Sequence, residues 1–157
     1  MNVSIEVEDQ AWLDVPGLED LTRQVAGAAV FAAGGHMDRY EIAVLFTSEA
    51  SMADINARWR GQNKPTNVLS FPAPADMPVP AGEARPLGDI VLAHGVITRE
   101  AAAQGKTLHD HTAHLIVHGV LHLLGHDHDD DAEAQSMERL ETVILKGLGI
   151  SDPYERH

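Results

Sequence analysis

His118-Gly119-Val120-Leu121-His122-Leu123-Leu124-Gly125-His126-Asp127-His128 is the stretch around which the rest of the chain has to be arranged. In a helix, residues four apart lie on one face, about 6 Å apart along the axis. His118 and His122 can therefore present their imidazoles to one metal ion. Gly125 follows the last apolar helical positions, where a left-handed residue commonly stops a helix. The chain can then reverse and return His128 to the same point, which gives the pattern H-x-x-x-H-x-x-G-x-x-H. Three neutral imidazoles suit zinc, and three protein ligands leave a fourth position open for water, as catalytic sites do. Zinc in such a site brings the pKa of its water to about 7. Nickel and copper also take imidazole. The expectation is one Zn2+ per chain on His118, His122 and His128, with His126 the weaker ligand candidate because the Gly125 turn points it elsewhere.

The surrounding composition supports a site. The chain of 157 residues has 10 histidines, and seven of them fall between His109 and His128. It has no cysteine, so no disulfide frames the fold and any metal must be held by His, Asp or Glu. His114 stands four residues before His118. Either His114 or His111 can lie behind the ligands or meet a substrate; otherwise both are partly exposed helix residues. Asp127 can orient a ligand or cap the following helix. The run Asp129-Asp130-Asp131 reads as a solvated helix start, since carboxylates favour helix N-termini.

Outward from this segment, Val3 to Val7 alternates apolar and polar residues as a half-buried strand does. A helix is expected from Gly17 to about Ala33, with Leu18, Leu21, Val25 and Ala28 on one face, stopping near Gly34-Gly35. Glu41 to Thr47 reads as a buried strand. Ser48 to Arg60 reads as a helix capped by Ser48 or Ser51. Thr66 to Phe71 is a short third strand. Pro72 to Pro86 holds five prolines and is expected to be a surface loop. Leu87 to Ala93 is a fourth strand, and helices follow over Gly95–Gln104, Thr107–Leu124 and Asp130–Leu148. Strands mixed with helices, without strict alternation, give an α+β class. The expected architecture is a small four-stranded mixed sheet packed with about five helices, the zinc site at the end of a central helix, in one domain over residues 1–157.

Length and charge bound the function. A chain of this size buries roughly 68–70% of its unfolded surface, enough for a substantial core. No apolar run approaches the ~18 residues of a membrane span, and Met1 to Glu8 lacks the basic start and apolar centre of a signal peptide. These absences point to the cytoplasm. Eleven basic and 24 acidic residues give a net charge of −13, which disfavours broad non-specific nucleic-acid binding. The charge is unevenly spread. Ile55 to Ala75 carries Arg58, Arg60 and Lys64 and no acid, whereas Asp127 to Glu141 carries seven acids and one arginine. A polyanion can approach the first segment and avoids the second.

The histidine spacing coincides with that of the metzincin zinc peptidases, H-E-x-x-H-x-x-G-x-x-H. One letter departs: the glutamate that serves those enzymes as general base is Gly119 here. A glycine cannot take a proton from water, so a peptidase is the secondary reading. Two further segments, Ile55-Asn56-Ala57-Arg58-Trp59-Arg60 running on to Pro65-Thr66-Asn67-Val68-Leu69-Ser70-Phe71-Pro72, and Leu87-Gly88-Asp89-Ile90, stand in order before the histidines. With them the chain resembles the bacterial YbeY family from Ile55 to Tyr154; the first fifty residues match in layout only.

That resemblance implies a metal-dependent endoribonuclease specific for single-stranded RNA. Its implied setting is ribosomal RNA maturation, notably of the small subunit, and ribosome quality control, with ribosomal particles or ribosomal proteins as partners. It implies that His118, His122 and His128 are the zinc ligands and that Arg60 contacts RNA phosphate. His126 stands where many members have tyrosine. The residues read the same way. Arg60 can grip a phosphate with two parallel hydrogen bonds and stabilise the transition state. Arg58 and Lys64 add steering charge or are ordinary surface residues. Trp59 can stack on a base, although a helix tryptophan more often belongs to the core. Ser70 and Asn67 can line a cleft, and Asp89 is expected to support structure. Zinc-activated water or His114 can act as base, so Arg60 and His114 are the candidate catalytic residues. The alternatives are a peptidase-like hydrolase with a displaced base, and a non-catalytic zinc module that docks on ribosomal particles.

Overall fold

The computed structural model describes residues 2–62, 64–74, 78–126 and 130–150. The strands are β1 (Val3–Val7), β2 (Tyr40–Thr47), β3 (Val68–Pro72) and β4 (Arg85–Ala93). The helices are α1 (Leu18–Ala32), α2 (Glu49–Arg60), α3 (His94–Gln104), α4 (Leu108–Leu123) and α5 (Asp131–Gly147). The four strands form one sheet in the order β1-β2-β4-β3. β1 and β4 run parallel to β2, and β3 runs antiparallel to β4 at the edge. The sheet is therefore mixed and the class is α+β, as expected.

Period-two alternation sorts the side chains of the sheet. Val3, Ile42, Val44, Phe46, Ile90 and Leu92 join the main core with α1, α4 and α5. Leu69, Val91 and Ala93 face the other way and bury Met52 of α2 in a second, smaller cluster. Each fully buried side chain of this kind contributes roughly 1.5–3 kcal/mol relative to exposure. α4 is buried on nearly all sides, from His111 to Leu121, which makes it the central helix.

The helix ends follow local chemistry. The side chains of Ser48, Thr107 and Asp130 accept from the backbone N–H of Ser51, Asp110 and Glu133, capping α2, α4 and α5. At the end of α4, Gly125 has φ 97°. Its N–H donates to the carbonyl of His122 at 3.0 Å, and the N–H of His126 donates to that of Leu121 at 2.9 Å. This Schellman arrangement is the glycine stop expected after the second histidine.

Two expectations change. The loop expected from Pro72 to Pro86 is shorter, since both end prolines lie in strands. Pro72 closes the edge strand β3. Pro86 sits near the start of β4, where the pairing with β2 slips between Glu41 and Ile42. Edges and bulges are where a sheet tolerates a missing N–H. The second change is an extra 3-10 turn, Gln10–Asp14, between β1 and α1. It buries Trp12, whose Nε1–H donates to the carbonyl of Thr47 at 3.0 Å.

The register also defines the free edge. The N–H of Ala93 donates to the Asn67 carbonyl and the N–H of Ala73 donates to the Leu87 carbonyl. By antiparallel alternation the backbone groups of Val68, Ser70 and Pro72 therefore point away from β4.

Candidate active site

Helix α4 sets the histidines. His118 and His122 stand one turn apart, as their spacing requires, with ring centroids 4.8 Å apart and planes at 70°. His128 and Asp127 lie outside the described residues. Among the described residues no group of three His, Cys, Asp or Glu is close enough to hold a metal ion. Two of the three expected ligands are thus adjacent.

Behind them lies a residue that the sequence reading did not single out. Glu141 of α5 is completely buried. Its Oε1 is 2.6 Å from His118 Nδ1 and its Oε2 is 3.3 Å from His114 Nε2. His118 thus turns Nδ1 to the carboxylate, and its ring lines the cleft. A carboxylate behind a histidine fixes the tautomer and raises the basicity of the ligating nitrogen, which is the arrangement that metal-binding histidines use. The two described imidazoles are donors of the kind zinc takes. A signal for Glu141 exists in the sequence: Met137, Ile144 and Leu145 place it on the apolar stripe of α5.

His114 is buried with Glu141, and His111 is buried as well, so neither is a partly exposed helix residue. His111 Nε2 is 3.0 Å from Glu100 Oε1. Burial holds its pKa below the ordinary histidine value against the opposing pull of Glu100. Glu100 also accepts from Asn67 Nδ2 at 3.1 Å. Asn67 Oδ1 in turn accepts from the Val68 N–H at 2.6 Å. This chain of contacts ties the start of β3 to α3 and α4.

The cleft before the imidazoles encloses about 250 Å3 and is lined by Arg60, Asn67, Ser70, His118 and His122 among others. Arg60 is placed by α2 and its left-handed cap Gly61. Its Nη2 donates to the Ser70 carbonyl at 2.8 Å, and its guanidinium lies 5.5 Å from the centroid of Phe71. Asn56, also missed by the sequence reading, is buried on α2 and donates to the Lys64 carbonyl at 2.8 Å, fixing the turn that follows Arg60. Arg58 and Lys64 are exposed. Trp59 is not a core residue: it is 73% exposed and meets Phe71 edge-on at 6.4 Å. Asp89 does not line the cleft. It is exposed in mid-β4, over a groove that it shares with Ser4 and Glu6.

Gly119 explains the missing peptidase glutamate. A Cβ there would lie 3.1 Å from Ile90 Cδ1 and Cγ2 and 3.3 Å from Ser70 Oγ. α4 passes so close to the sheet that an added side chain has to push Ile90 and Ser70 aside.

The family profile described as Endoribonuclease YbeY matches residues 4–149. The chain belongs to the YbeY family. A relative named Endoribonuclease YbeY from a Chelativorans species is 50% identical over 139 residues, covering 87% of this chain and 85% of that one. Another of the same name from Rhizobium johnstonii is 47% identical over 168 residues, covering 99% and 94%. A solution structure of a Thermotoga maritima protein shares the fold with a TM-score of 0.59 at 21% identity, over 98% of this chain and 99% of that one. The YbeY match spans both the N-terminal elements and the three motifs. Among the described residues no helix is long and apolar enough to cross a membrane.

Proposed function

We propose that this chain is a zinc-dependent endoribonuclease specific for single-stranded RNA, acting in small-subunit ribosomal RNA maturation and ribosome quality control. On this reading it works in the cytoplasm, on ribosomal particles, as one domain over residues 1–157, with one zinc ion on His118, His122 and His128. The observation that carries the reading is the shared cleft: a guanidinium and two imidazoles line one hollow, with a buried carboxylate behind the imidazoles. The names of the relatives supply the reaction class.

Zinc, when bound by these histidines, would supply Lewis-acid chemistry for phosphate cleavage. The chain's own residues do the rest. Arg60 spends one donor on Ser70 and keeps others to bind and orient the phosphate. Glu141 holds the His118 ring through Nδ1. His114 shares that carboxylate and so acts on the site through Glu141, as a positioning residue. The Asn67–Glu100–His111 contacts keep the β3 wall in place.

The test compares wild type, His122→Ala and Arg60→Ala for cleavage of single-stranded RNA, with metal content measured on the same samples. Wild type is expected to carry about one zinc and to cut. His122→Ala is expected to lose both, and Arg60→Ala to keep the metal and lose cutting. Full cleavage by metal-free His122→Ala overturns the mechanism. Zinc without cleavage in wild type leaves a docking module, and zinc-dependent cleavage of a peptide library restores the peptidase.

A further inference from the structure

Trp59 is a large aromatic residue that the core does not bury. It lies on the stripe of α2 that buries Met52, in the last turn of the helix, beside the edge strand. Its indole is 73% exposed, whereas the chain's other tryptophan, Trp12, is fully buried. Phe71 meets it edge-on at 6.4 Å, and the Arg60 guanidinium lies against the same Phe71. Trp59 and Arg60 therefore meet the same Phe71, and Arg60 in turn lines the cleft of His118 and His122.

The chemistry of this surface selects its occupant. A segment with Arg58, Arg60 and Lys64 and no acid, on a chain of net charge −13, attracts an anion locally. A phosphate at Arg60 carries a neighbouring base on the same strand. An indole face beside it offers that base a stacking partner with no sequence requirement. We propose that Trp59, braced by Phe71, is the stacking subsite for an unpaired nucleobase next to the phosphate held by Arg60. The proposal rests on the endoribonuclease reading and deepens it. A base inside a duplex has both faces covered by its neighbours, so a site of this kind accepts single strands and rejects double ones.

Tryptophan emission tests this directly, because Trp12 is sealed in the core. Wild type is titrated with a single-stranded 2′-O-methyl oligoribonucleotide, with its duplex, and with inorganic phosphate. RNA cleavage is measured in parallel for wild type, Trp59→Phe and Trp59→Ala. The single strand is expected to quench the emission, and the duplex and phosphate are not. Trp59→Ala is expected to weaken binding and raise KM roughly 5- to 150-fold, the loss of one stacked base, with Trp59→Phe recovering most of it. Thermal melts of the variants should match wild type, since the indole is exposed. Cleavage by wild type with no change in emission, together with a wild-type KM for Trp59→Ala, overturns the subsite and leaves the nuclease reading standing. If wild type neither binds nor cuts RNA, both fall together.

Discussion

Glu141 Oε1 lies 2.6 Å from His118 Nδ1, across the interface between α5 and α4. The carboxylate is fully buried, so its position is fixed by the packing of Met137, Ile144 and Leu145 around it. Glu141→Gln keeps the shape and removes the charge. It is expected to lower zinc affinity roughly 10- to 100-fold, the usual effect of losing an outer partner of a metal-bound histidine. Competition with a chelator measures this, and an unchanged affinity separates Glu141 from the metal.

Arg60 makes two contacts that lysine cannot copy together, a fork donor to Ser70 and a flat face on Phe71. Arg60→Lys is expected to cut RNA much more slowly than wild type, despite keeping the charge. Arg60→Ala is expected to lose about 100-fold or more in kcat, the scale for removing a donor that meets developing charge. Both should retain a full complement of zinc. Steady-state kinetics alongside metal analysis decides it.

Gly119→Glu restores the letter found in the metzincin peptidases and should not restore their activity. The added side chain drives into Ile90 and Ser70. Overpacking of this kind costs typically about 1–3 kcal/mol, and a carboxylate against Ile90 adds a desolvation cost. A lower denaturation midpoint is expected, without peptide hydrolysis. A stable variant that cleaves peptides would show that α4 can move off the sheet.

His111 makes stability depend on pH. Burial lowers its folded pKa below the unfolded value of about 6.5. The unfolded chain therefore binds the extra proton first as pH falls. Stability contributed by the neutral ring is complete above about pH 6.5 and is lost progressively as pH falls below it. The slope from one such group is at most about 1.4 kcal/mol per pH unit. Urea melts between pH 7.5 and 5 should show a shallower loss in His111→Asn than in wild type. Equal slopes would mean that other groups carry the acid sensitivity.

Much of the fold was legible because its signals are local. Alternation marked β1, the glycine after the histidines marked the end of α4, and Ser48 and Asp130 marked helix starts. What stayed hidden depends on contacts between distant segments. Glu141 stands on the apolar stripe of α5, but only the approach of α4, 23 residues earlier at His118, gives its carboxylate a partner and a role. Trp59 has the spacing of a core residue on α2, yet the helix ends beside the last strand of the sheet. Pro86 sits in a strand because a slip in the β2 register removes the need for its N–H. The two facing histidines were readable from spacing alone; the carboxylate that orients one of them was not.

The outward-facing positions of β3 carry a consequence for the protein in concentrated solution. An exposed strand is a template on which another chain can add, and from there aggregates grow. Here each of the three positions is blunted. The Val68 N–H is taken by Asn67, the Ser70 carbonyl by Arg60, and Pro72 has no N–H to offer. Arg60 thus occupies an edge carbonyl of the sheet with the same guanidinium that lines the cleft, so its replacement by Ala is expected to bare that carbonyl and favour self-association.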